Sequence, residues 1–134
     1  MLTDLARRSW RRAARLANQL DAHSPTEQLH ELRILVKRAR YAALAATPVR
    51  PEAAPHARAL ARLQDALGEI NDISITEERV LTAVASGLGA EAAYAAGLIV
   101  AAERHRSERR RAAWPQLWDE ARRKKVRGWL DSAE

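Results

Sequence analysis

Cysteine and phenylalanine are both absent from this 134-residue chain, and its only methionine is the first residue. Without thiols there is neither a disulfide framework nor a thiolate metal site. Glycine and proline number five each, too few for a loop-rich or low-complexity protein, and no run of alternating β-branched residues argues for strand. Long apolar runs are missing too: the most hydrophobic stretch, residues 92–102, is well short of the roughly 20 residues a membrane-spanning helix needs. Met1 leads directly into charged residues, a pattern without a cleavable leader, so a cytoplasmic protein is expected. Acid is the scarcer sign of charge. With 23 Lys plus Arg against 17 Asp plus Glu, the net charge is +6, and partners are expected to be negative. Arginine supplies 20 of the cations, and its planar fork suits phosphate oxygens better than a lysine point charge does. Arg- and Ala-rich composition also follows from GC-rich coding, so only the patterned arginines carry an argument.

What remains is mostly Ala, Leu, Arg and Glu, all good helix formers. Breaks fall at Ser24-Pro25, at residues 48–55, at Ser86-Gly87-Leu88-Gly89 and at Pro115. They delimit four helices over residues 3–21, 26–46, 53–85 and 90–113, with shorter helical segments after Trp114. Pro25 just before Thr26 fits proline's tolerance at a helix start. Gly68, Asn71 and Ser74 are weak helix formers, so a bend or end is expected near 71–74. The length allows one domain over residues 1–134, and antiparallel amphipathic helices with short links make an all-α four-helix bundle. Residues 90–102 are expected in its core, with Gly97 allowing close approach of another helix. Arg104, Arg106, Arg109, Arg110 and Arg111 surround the fourth helix, interrupted by Glu103 and Glu108, and most of them are expected to be solvated.

The second helix carries the sharpest pattern. At about 100° per residue, His30, Arg33, Lys37 and Arg40 form one stripe and Arg38 flanks it, while Leu32, Leu35, Val36, Ala39 and Ala43 take the other side and Ile34 interrupts. Arg8, Arg11, Arg12 and Arg15 make a second cationic stripe on the first helix. Either stripe alone is explained by a solvated face. Side by side they repel, which points to an anion. On the third helix Arg58 and Arg62 can still face a ligand, but they alternate with Asp65, Glu69 and Asp72, a pattern of ion pairs more than of a metal or acid/base site. Gln64 and Asn71 share an edge of its apolar side and are placed to hydrogen-bond a neighbouring helix or to orient a basic side chain. His23, His30, His56 and His105 show no metal-ligand spacing. No glycine-rich phosphate loop and no nucleophile with a positioned base occurs. The expectation is a binding protein without metal or cofactor, not an enzyme.

Two motifs in order, Leu29-His30-Glu31-Leu32-Arg33 with Lys37-Arg38-Ala39-Arg40-Tyr41, then Leu63-Gln64-Asp65-Ala66-Leu67-Gly68-Glu69-Ile70-Asn71-Asp72, closely resemble the conserved histidine α-helical domain, the CHAD domain. The Arg-rich first helix, Ala95-Ala96-Gly97-Leu98 and the Trp114-Pro115 step extend the resemblance over nearly the whole chain. It implies binding of inorganic polyphosphate, in the cytoplasm and at polyphosphate granules, by a domain of two four-helix bundles with a basic surface between them. Carried over by motif, His30, Arg33, Lys37 and Arg40 are implied ligands, with Arg38 beside them. Arg8, Arg11, Arg12 and Arg15 match by character, Arg58 and Arg62 less securely. This chain carries one repeat, of the C-terminal kind, and so half of the two-bundle architecture, which makes it either a fragment or a compact single-repeat member. A symmetric homodimer with both basic faces lining one channel would rebuild the rest. Other readings are a nucleic-acid-binding module, disfavoured by few exposed rings for stacking; an accessory domain of a triphosphate-processing enzyme; and a scaffold for an acidic protein.

Overall fold

Small apolar residues three and four apart set the first contact. In the computed structural model, which describes residues 1–132, Ala6, Trp10, Ala13 and Ala17 of α1 (Leu2–Ala17) are buried. They pack against the Leu29, Leu32, Val36, Ala39 and Ala43 face of α2 (Thr26–Ala46). The last two residues of the expected domain, 133–134, lie outside the described residues. α1 ends at Ala17, earlier than the expected residue 21. The Asp21 carboxylate accepts the His23 N–H at 2.8 Å and the Ser24 hydroxyl accepts the Asp21 N–H at 2.8 Å, local bonds that compete with a helical ladder. α2 spans its expected residues, and the Pro25 carbonyl accepts the first ladder bond from Leu29.

A 3-10 turn at Pro51–Ala53 leads into α3 (Ala54–Ala85), which lies on α2 and then on α4 (Ala90–Ala121). Two expected interruptions do not occur. α3 runs unbroken through residues 71–74 because Ile70 and Ile73 are buried there, and packing of an apolar face outweighs weak propensity. α4 continues through Pro115 to Ala121. An interior proline costs about 3 kcal/mol, but Trp114 and Trp118 on either side are buried, and losing a buried tryptophan costs about 3–5 kcal/mol each.

The C-terminal segment closes the bundle. After α5 (Lys124–Arg127) and a 3-10 turn at Gly128–Asp131, the Leu130 carbonyl accepts Arg7 Nε at 2.8 Å and the Trp129 carbonyl accepts Arg50 Nη2 at 3.3 Å. Trp129 Nε1 donates to His56 Nδ1 at 3.0 Å, while Trp10 stacks on Trp118 at 4.8 Å and meets the His56 ring edge-on at 4.9 Å. Burial, with Arg127 adding repulsion, lowers the His56 pKa to about 4.

Arg111 is an exception to the mostly solvated arginines expected on α4. Its guanidinium donates to the Ala22 and Ser24 carbonyls and to Thr26 Oγ1, fixing the α1–α2 loop against α4 and marking the bundle's shoulder. Arg110 pairs with Glu69, Arg104 with Glu77 at 2.7 Å and Arg106 with Glu103 at 3.3 Å, so these exposed arginines are engaged too. Past the shoulder, α3 and α4 continue as a bare hairpin whose ten residues 76–85 add about 15 Å, and its turn uses Gly87 at φ +102°. Residues 90–102, expected in the core, are therefore mostly exposed: only Ala96 and Val100 are buried. α1 and α2 are too short to cover them, and a Cβ on Gly97 would meet nothing within 4 Å.

Candidate anion-binding site

The α2–α3 seam gathers part of the expected site. Arg33 is half-buried and lies across α3 at Gly68: a Cβ there would sit 3.0 Å from its Nε and 3.6 Å from its Cζ. Any side chain at 68 would push the guanidinium away. Two helical turns on, Arg40 Nη1 donates to the Oε1 of buried Gln64 at 3.2 Å, which is the orienting contact expected of that glutamine. His30 is half-buried on the same stripe, and Lys37 between them is exposed. Lys37 Nζ and the Arg40 guanidinium each lie 5.8 Å from the centre of the Tyr41 ring, a cation–π distance.

Three polar atoms in this seam, His30 Nδ1, Arg33 Nε and Arg40 Nε, are buried and have no hydrogen-bond partner. Native proteins rarely leave such groups unmet, because each unsatisfied buried donor costs about 1–3 kcal/mol and more when charged. Core atoms such as His56 Nε2 and Trp114 Nε1 share that condition, so what distinguishes this face is its charge: Arg33, Lys37 and Arg40 lie along one side of α2 and none makes an ion pair among the described residues.

Arg38 falls on the other flank of α2. There it lines an open groove of about 350 Å³ with Arg12, Arg15, Glu31 and Leu35. The expected single site is thus two: a seam over α2–α3 and a groove between α1 and α2. Arg8 and Arg11 are exposed on α1 and line neither. Arg62 leans to α4, 4.0 Å from Glu120, and Arg58 is exposed, so neither is drawn into the seam. Asp65 and Asp72, expected in ion pairs, make none among the described residues.

Charge compensation separates this region from the rest. Among the described residues Arg8, Arg11, Arg12, Arg15, Arg33, Lys37, Arg38 and Arg40 make no ion pair, whereas Arg104, Arg106 and Arg110 of α4 and Arg122 and Arg127 after it are paired with carboxylates. No group of His, Asp and Glu able to hold a metal occurs among the described residues, and no described helix is long and apolar enough to cross a membrane. The role of Gly68 escaped the sequence reading, although a glycine inside an otherwise strong helical motif was its signal.

The model of a family described as the CHAD domain matches residues 1–81. That span holds α1, α2 and the stretch of α3 that carries Gln64 and Gly68. No match was found among curated proteins or among solved structures.

Proposed function

The chain belongs to the CHAD family, and from that membership we propose that it binds inorganic polyphosphate without catalysis, through the α2–α3 seam. The observation that carries the reading is the row of Arg33, Lys37 and Arg40 along one side of α2, none of them in an ion pair among the described residues. Polyphosphate presents closely spaced oxygens of one sign and no bases, so recognition needs cations at fixed spacing and little else. Arg33 and Arg40, about 10.5 Å apart along the helix, each offer a fork to non-bridging oxygens. Gly68 and Gln64 hold those forks in place before the ligand arrives, which lowers the ordering cost. Lys37 adds charge between them, and Arg12, Arg15 and Arg38 in the α1–α2 groove carry the chain onward around α2. Binding is coupled to release of condensed counterions and falls with salt. A second copy, as a homodimer, would double the row of cations available to one long chain.

Calorimetric titration with long-chain polyphosphate tests the reading: saturable binding is expected, clearly weakened in Arg33→Ala or Lys37→Ala and little changed in Arg110→Ala. Equal binding by all variants would remove the seam from the mechanism. One observation favours single-stranded nucleic acid as the second reading, namely the exposed Tyr41 ring between Lys37 and Arg40, which is placed for base stacking. All four tryptophans are buried, leaving that platform small. Competition between polyphosphate and single-stranded RNA at equal phosphate, with Tyr41→Ala beside the native chain, separates the two: polyphosphate is expected to win and Tyr41→Ala to leave its affinity nearly intact.

A further inference from the structure

The bare end of the α3–α4 hairpin carries more exposed apolar side chain than a free surface element needs. Tyr94 is 72% exposed, Leu98 56% and Leu81 49%. On α4, positions 91, 94, 98, 101 and 105 recur at alternating spacings of three and four, which puts Glu91, Tyr94, Leu98, Ala101 and His105 along one side. That is the seam of a helix with a partner. The floor beside it, between α3 and α4, is an open groove of about 340 Å³ lined by Leu81, Val84, Gly97 and Ala101 among others.

We infer that a second copy of this chain covers this face, with the two α4 helices antiparallel and Leu98 on the two-fold axis. Three features of the sequence agree with that pairing and with no parallel one. Residues equidistant from Leu98 oppose each other, so Glu91 of one copy meets His105 of the other, a carboxylate against an imidazole, at both ends of the seam. Tyr94 meets Ala102, its large ring over a small side chain, again twice. The third is length. Leu88 at the tip would oppose Glu108, three residues before Arg111, where the α1–α2 loop stands against α4, so the tip of one hairpin reaches the other bundle's shoulder without entering it. The buried face is about 21 Å long and two helices wide, towards the small end of specific interfaces, so the dimer is reversible and depends on concentration.

This pairing deepens the two-copy reading proposed above, and it changes its form. Antiparallel hairpins put the bundles at opposite ends of a rod, with the two seams of Arg33 and Arg40 about 50 Å apart along it and not facing one another across a channel. A long polyanion can bridge both, while a short one occupies a single seam.

Because the chain has no cysteine, single replacements report the register directly, with no polyanion present. Oxidised Leu98→Cys is expected to form a covalent dimer in high yield. Tyr94→Cys alone is expected to give little, and Tyr94→Cys/Ala102→Cys to restore it. Sedimentation velocity of the native chain should show monomer passing to dimer as concentration rises, and Leu98→Glu, at an exposed position, should keep its helicity and remain monomeric. A native chain that stays monomeric at several hundred micromolar overturns the inference, as does cross-linking through Ile99→Cys in place of Leu98→Cys. Since all arms omit polyphosphate, failure here leaves the seam reading untouched, and failure of polyphosphate binding leaves the dimer untouched.

Discussion

The two ends of α3 solve opposite problems. At the α2–α3 seam, charge is held partly out of water and left without a counter-charge: Arg33 and Arg40 have buried Nε atoms with no acceptor. In the projecting hairpin Arg104 is paired with Glu77 and Arg106 with Glu103, and it is chiefly apolar surface that lacks a partner. A cation without a counter-charge favours an anion, whereas an unmet leucine favours another apolar face. One long helix therefore presents two kinds of incompleteness, and each indicates a different ligand.

The contrast is broken most strongly by deleting packing. Leu67→Ala, at a fully buried position of α3, is expected to cost about 2–5 kcal/mol in chemical denaturation, while Leu98→Ala in the hairpin should stay within about 0.5 kcal/mol for the monomer. A similar cost for both would mean that the hairpin is part of the core. Next comes acid. The His56 pKa of about 4 lies below its unfolded value near 6.5, so the unfolded chain binds the extra proton between these limits. Stability from this group is complete above pH 6.5 and is lost as pH falls towards 4, by about 3 kcal/mol in total. Urea midpoints from pH 7 to 4 should show that slope, and His56→Gln should flatten it.

At the seam, Arg33→Ala/Arg40→Ala is expected to weaken polyphosphate binding by roughly 100-fold, at about 1.5 kcal/mol per charged hydrogen bond. Gly68→Ala sharpens the distinction between folding and binding. Alanine favours a helix interior by up to about 1 kcal/mol, yet its Cβ would stand 3.0 Å from Arg33 Nε, so affinity is expected to fall about tenfold while thermal stability holds or rises. Smallest is Arg110→Ala, which removes one exposed ion pair with Glu69 and should change both quantities by no more than about 0.5 kcal/mol.

Much of the bundle was legible because periodicity and breakers act locally: α2 begins and ends where its caps and apolar spacing place it. Pro115 misled because its local cost is outweighed by burial of Trp114 and Trp118, the latter stacked on Trp10 of α1, about 100 residues away in sequence. Residues 90–102 misled for the complementary reason. Their composition suits a core, but whether α1 and α2 reach far enough to cover them is a matter of relative helix lengths. At the site, helical spacing identified His30, Arg33, Lys37 and Arg40 as one stripe and Gln64 as an orienting group. Spacing did not reveal that Arg38 turns with Arg12 and Arg15 into a separate groove, since that depends on which side of α2 each neighbouring helix occupies. Nor did it reveal that Gly68 is the opening over which Arg33 lies.

The most direct test of the central claim is polyphosphate affinity measured by calorimetry for the native chain, Arg33→Ala and Gly68→Ala at one salt concentration. Saturable binding by the native chain, reduced in both variants while their circular-dichroism melting curves stay close to native, is the predicted result. Native-like affinity in Arg33→Ala and Gly68→Ala would contradict the account, because the cations of the α2–α3 seam would then have no part in holding the anion.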